Sequence, residues 1–132
     1  MLTTAHGSAA AVVGVVDSGA QRTLLPKAFA ESQLGLSPDE LVADATTGMG
    51  VDPKEEDEEG FTTWSSAVPI TGQIVSTGPD GKPGTWGPTF SLDPAFAEVE
   101  ATLLGRSDFF EAFAVSFTPA GAADPQFALE YA

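Results

Sequence analysis

Glycine and proline divide this chain into short pieces. Fourteen glycines and ten prolines fall across 132 residues, and the stretches between them are brief apolar or β-branched runs. Such runs, several alternating with polar residues, suit strands better than helices. The continuous apolar run Ala11–Val16 reads as a buried strand. Leu41 opens another, which passes into the glycine-containing TTGMG. Phe61–Val75 reads as strand interrupted by Pro69, a residue that suits an edge or a bend. Ser76–Pro88 reads as a turn-rich connection. Thr89–Gly105 holds two more strand candidates. Ala114–Ala132 has the pattern of a closing hairpin, AVSF and FALEY about a Gly/Pro turn. Two short helices are expected. One spans Lys27–Leu36 and stops near Gly35; the other spans Ser107–Phe113, capped by Ser107 or Asp108. The sum is one mostly-β domain over residues 1–132, with no internal repeat.

Charge removes several classes of function. The formal net charge is −14, with five Lys and Arg in all. Nucleic-acid binding needs clustered cations, and an anionic membrane surface would repel such a chain. No apolar run approaches the roughly 20 residues that span a bilayer. The start, MLTTAHGSAAAVVG, lacks the basic region of a signal peptide, so a cytoplasmic location is the expectation. There is no cysteine, and His6 is the single histidine. Thiol, Ser–His and His-metal chemistry therefore have almost no material, and no metal or cofactor is expected. TTGMG is not a phosphate loop, because no GK[ST] follows it. Residues 52–60 form an acidic loop whose run Glu55–Glu59 lacks the ligand spacing of a calcium site, and it reads as a solvated segment.

Carboxylates remain. Asp17 sits between two apolar runs in VVGVVDSGAQRTLLP and is followed at once by Ser18, Gly19 and Ala20. Alone, this reads as a strand-end aspartate that opens a turn. A second element, TLLGRSDFF, lies far downstream: an apolar pair, Leu103 and Leu104, then Gly105 and Arg106, then the expected helix. Together, in this order and at this separation, the two elements resemble the retropepsin-like aspartic proteases, the single-domain relatives of retroviral proteases. Asp17, Ser18, Gly19 and Ala20 match the first motif of that family. Leu103, Leu104, Gly105 and Arg106 match the second. The resemblance runs from about Val12 to Leu129, with the central acidic loop unmatched.

That resemblance implies a small closed β-barrel of the acid-protease type with one or two short helices. It implies hydrolysis of peptide bonds by two aspartates that share a proton, one activating water and the other protonating the carbonyl oxygen. The chain holds a single Asp-Ser-Gly, so the dyad calls for a two-fold homodimer with one Asp17 from each subunit. Ser18 would interlock with the opposite chain, and Gly19 would let backbone approach a peptide or protein substrate. Residues 41–51 fall where the family keeps its flap, with Thr47, Gly48, Met49 and Gly50 at the tip; the same residues also read as an ordinary hairpin turn. Arg106 would brace the strand–helix junction. Only sixteen residues precede Asp17, so any first strand is expected to be short. Subunits this acidic would repel one another at low salt, so assembly is expected to need salt or protonation. The alternative is a catalytically inactive retropepsin-like β-barrel serving as a binding or dimerisation module.

Overall fold

Strand and turn follow the glycine and proline punctuation in part. The computed structural model describes residues 1–44, 62–118, 121, 123 and 126–131. In order they form β1 (Leu2–Thr4), β2 (Ala9–Ala10), β3 (Val15–Val16), β4 (Leu24–Pro26), α1 (Lys27–Ser32), a 3-10 turn (Pro38–Glu40) and β5 (Leu41–Ala43). Then come β6 (Thr63–Ser66), β7 (Ile70–Thr77), β8 (Pro83–Leu92), β9 (Ala95–Ala97), β10 (Leu103–Leu104), α2 (Phe109–Ala112), β11 (Phe113–Phe117) and β12 (Phe127–Tyr131). The chain is mostly β, with two short helices.

The strands make three sheets, ordered β2-β1-β7-β8, β3-β10-β4-β9-β6-β5, and β11-β12. Each ends in edge strands, so among the described residues no sheet closes into the barrel expected from the sequence. The physical reason lies in strand length: β2, β3 and β10 have two residues each, too few for the tilted, staggered pairing that closure demands.

The main core lies where Leu2, Leu25, Leu34, Leu36, Ile70 and Phe96 pack together, all nearly inaccessible. Burying side chains of this size contributes about 1.5–3 kcal/mol each. Leu24, Ala95 and Ala97 form a smaller cluster with Val99 and Leu103. An apolar cavity of about 70 Å³ opens behind Leu104, with Leu2, Val12, Leu25 and Phe90 among its walls.

Several expectations change. The run Ala11–Val16 is not a buried strand: pairing is confined to Val15–Val16, and Val13 and Val15 are 95% and 63% exposed. β3 is an edge strand, and among the described residues no strand pairs with its outer side. Ser76–Pro88 is mostly strand, because β7 and β8 form one long hairpin turning at residues 78–82. Proline is tolerated there since β8 is an edge, and Gly87 takes φ +71° beside the Tyr131 ring. The first helix ends at Ser32, with Gly35 at φ +66° turning the chain away. Helix α2 is one turn long, and Asp108 caps it by accepting the Phe109 N–H at 2.6 Å. His6 sits in the β1–β2 turn against Glu40, and β1 is an inner strand of its sheet. The Ser37 backbone N–H, with His6 beside it, holds the Glu40 carboxyl below its ordinary range. The closing hairpin forms as expected, in register from Phe113↔Tyr131 to Phe117↔Phe127.

Candidate active site

The two sequence elements meet in the six-stranded sheet. β3 runs parallel to β10, with Val15 opposite Leu103 and Val16 opposite Leu104. On its other side β10 pairs with β4, Leu103 opposite Leu24. Four backbone hydrogen bonds lace the segments beyond these strands. Val15 N–H donates to Thr102 O at 2.9 Å, and Asp17 N–H donates to Leu104 O at 3.0 Å. Coming back, Arg106 N–H donates to Ala20 O at 3.0 Å and Ser107 N–H to Gln21 O at 2.8 Å. The Asp17–Ala20 turn is thereby fixed at both ends against Leu104–Ser107.

Within that turn, Ala20 N–H donates to Asp17 O at 3.2 Å, and Gly19 N–H donates to Asp17 Oδ1 at 2.9 Å. One carboxylate oxygen is thus oriented by backbone while Oδ2 is left to other partners. Asp17 is half-buried, and Ser18 and Gly19 are exposed. No cation pairs with Asp17 among the described residues. Arg106 meets the turn only through its backbone N–H; its side chain is exposed and makes no ion pair among the described residues.

Gly105 explains itself by contact. A Cβ there would lie 2.3 Å from the Arg22 carbonyl carbon and 2.7 Å from Thr23 N. The backbones touch, and only glycine permits it. Gly105 N–H donates to Thr23 Oγ1 at 3.0 Å, and the Thr23 hydroxyl donates in turn to Asp108 Oδ1. Asp108 is 5% exposed and also accepts the N–H of Asp93 and Phe109. The peptide unit Leu104–Gly105 therefore joins two bonds into one chain: Asp17 N–H to Leu104 O, then Gly105 N–H to the Thr23 hydroxyl and on to the Asp108 carboxylate. Sequence reasoning placed Asp108 only as a possible helix cap and passed over Thr23; nothing local reveals a contact between residues so far apart.

A second polar cluster lies just beyond the turn. Arg22 Nη2 donates to Pro94 O at 3.0 Å and to Ser65 Oγ at 3.2 Å, and Nη1 lies 3.6 Å from Asp44 Oδ2. Asp44 also accepts the Thr63 and Ser65 hydroxyls, each at 2.6 Å. Burial alone would raise the Asp44 carboxyl, but the Ser65 and Thr63 hydroxyls and the Arg22 guanidinium outweigh it and hold it below the ordinary aspartate value. These residues carried no motif and were missed from the sequence. They tie β4, β5, β6 and β9 together around the start of the segment that joins β5 to β6. The flap residues expected there, Thr47, Gly48, Met49 and Gly50, and the acidic loop 52–60 lie outside the described residues.

Among the described residues no group of three or more His, Asp or Glu could hold a metal ion, and no helix is long and apolar enough to cross a membrane. Comparison with models of known protein families, with curated proteins and with solved structures finds no match.

Proposed function

We propose that this chain is one half of an aspartic endopeptidase of the retropepsin-like, acid-protease type, completed by a second copy. The observation that carries the reading is the lacing of the Asp17–Ala20 turn to Leu104–Ser107 across β3 and β10. It presents a half-buried carboxylate, held by the Gly19 N–H, on an open edge of the sheet.

A single carboxylate of this kind is a weak general base. Two at roughly 3 Å cannot both ionise, so one keeps a proton and the pair can act as base and acid together. The titration belongs to the pair. In the proposed dimer the ionised Asp17 takes a proton from a water as that water attacks the peptide carbonyl carbon. The protonated Asp17 gives its proton to the carbonyl oxygen. As the tetrahedral intermediate collapses, the protonated Asp17 gives its proton to the departing amine nitrogen while the other Asp17 takes the proton of an intermediate hydroxyl, so the pair again shares one proton. Ser18 is exposed beside Asp17; in this reading its hydroxyl meets the partner's turn, and Gly19 leaves room for substrate backbone.

The test is hydrolysis of a peptide library from acid to neutral pH, in low and high salt, with and without a statine-type inhibitor. The expected result is endoproteolytic cleavage that the inhibitor abolishes. A dimeric protein that cleaves nothing under any of these conditions would contradict the reading and favour a catalytically silent binding or dimerisation module.

A further inference from the structure

The apolar cavity behind Leu104 lies between the two larger sheets. Leu2 and Ile74 wall it from the four-stranded sheet, Leu25 and Leu104 from the six-stranded one, and Phe90 and Phe109 add aromatic walls. Its volume of about 70 Å³ is about half the 150 Å³ of an apolar cavity that admits benzene. The walls resist collapse. Leu2, Leu25, Leu92 and Phe109 are nearly inaccessible. Phe90 meets Phe109 and Phe113 edge-on, with ring centroids 6.2 and 5.0 Å apart. A Cβ added at Gly72 would lie 2.7 Å from Leu92 and 2.9 Å from Phe90, so β7 and β8 already touch there. A void whose walls cannot close inward keeps its volume.

The chemistry of the lining selects an occupant. Thr23 and Gln73 are the polar side chains in the walls. The Thr23 hydroxyl is committed to Asp108 and Gly105, and Gln73 turns its amide nitrogen to Gly87 O at 2.6 Å. Among the described residues no charged side chain lines the cavity. A charged or strongly polar guest would lose its hydration there without replacement. We infer that the cavity is a binding site for a small uncharged apolar ligand, a hydrocarbon or hydrocarbon end held between the two sheets. Scaled from benzene, it has room for roughly three or four non-hydrogen atoms. So small a guest binds with a Kd of about 0.1–10 mM. The site backs directly onto the Asp17 turn, because Leu104 is a wall and its carbonyl accepts the Asp17 N–H. It stands whether or not the chain is a protease.

The experiment is methyl-resolved NMR of the full chain under rising xenon pressure, with xenon as the apolar probe, for wild type and Val12→Phe. Val12 is half-buried and lines the cavity, so the added ring plugs it from a site that can relax. Wild type should show saturable shifts at the Leu2, Leu25, Ile74 and Leu104 methyls. The methyls of Val13 and Val42, 95% and 53% exposed, should drift linearly at most. Val12→Phe should bind xenon at least about tenfold more weakly. Acetate, of similar size but charged, should shift none of the cavity methyls at matched concentration. Wild-type cavity methyls that drift no more than those of Val13 and Val42 overturn the inference, and that comparison needs no variant. So does a folded Val12→Phe protein that binds xenon as tightly as wild type, or acetate that binds as tightly as xenon. Peptide cleavage has no bearing on any of these outcomes.

Discussion

The Thr23 hydroxyl donates to the buried Asp108 carboxylate while accepting the N–H of Gly105 at 3.0 Å. One side chain thus joins β4, the Gly105 backbone and the cap of α2, and it stands two hydrogen bonds from the Asp17 backbone. Thr23→Val removes both bonds at an almost inaccessible position, leaving a backbone donor and a carboxylate each short of a partner. The expected loss is about 2–4 kcal/mol, read from urea denaturation. Thr23→Ser keeps the hydroxyl and should lose about 1 kcal/mol, mostly for the missing methyl.

Gly105 offers a steric test of the same junction. Alanine there drives a methyl into the Arg22–Thr23 backbone, where no side chain can yield. A destabilisation of about 3 kcal/mol or more is expected, at the upper end for overpacking. Gly84 has open space at its Cβ position and no left-handed φ. Gly84→Ala should leave stability within about 0.5 kcal/mol of wild type, so the pair of thermal melts separates contact from composition.

Thr4 gives a prediction of opposite sign. It is 4% exposed and its Oγ1 has no hydrogen-bond partner among the described residues. Thr4→Val replaces a desolvated hydroxyl with a methyl of similar size. Folding should gain about 1 kcal/mol, visible as a higher melting temperature.

Asp44 sets a pH dependence. Its folded carboxyl titrates below the ordinary value of 3.8, so the unfolded chain binds the proton more readily. The stability this group contributes is therefore complete above about pH 4 and is lost as pH falls through the lower folded value. Asp44→Asn should be about 1 kcal/mol less stable at neutral pH, and the gap should close in acid. Urea midpoints for both proteins across that range measure it. The same depression keeps the Arg22–Asp44 cluster paired in mild acid, where a shared-proton aspartate pair would work.

How far the sequence revealed this molecule depended on the range of the interaction. The closing hairpin was legible because alternation and a Gly/Pro turn are local signals. So was the presence of α1, though it ends at Ser32, short of the Gly35 that takes the left-handed turn. The pairing of VVDSGA with LLGR was legible only as two motifs in order; the sheet puts them side by side. Val13 and Val15 misled, since apolar character does not say whether a strand is central or at an edge. Pro83 and Pro88 misled in the other direction, because an edge strand absorbs prolines that a central one cannot. Asp108 was legible only as a helix cap, and Thr23, Arg22 and Asp44 gave no sign at all, since each acquires its role from partners distant in sequence.

Subunit mixing tests the central claim most directly. Wild type is assayed alone and then after exchange with an equal amount of Asp17→Asn, at concentrations where all chains are dimeric. If each active site needs an Asp17 from both copies, mixed dimers are dead, and two-fold statistics cut the activity of the original wild-type protein to about half. Asp17→Asn alone should fall at least about a hundredfold, the scale of a lost general base. Mixing that leaves wild-type activity unchanged, or an Asp17→Asn protein as active as wild type, would contradict a shared Asp17 dyad.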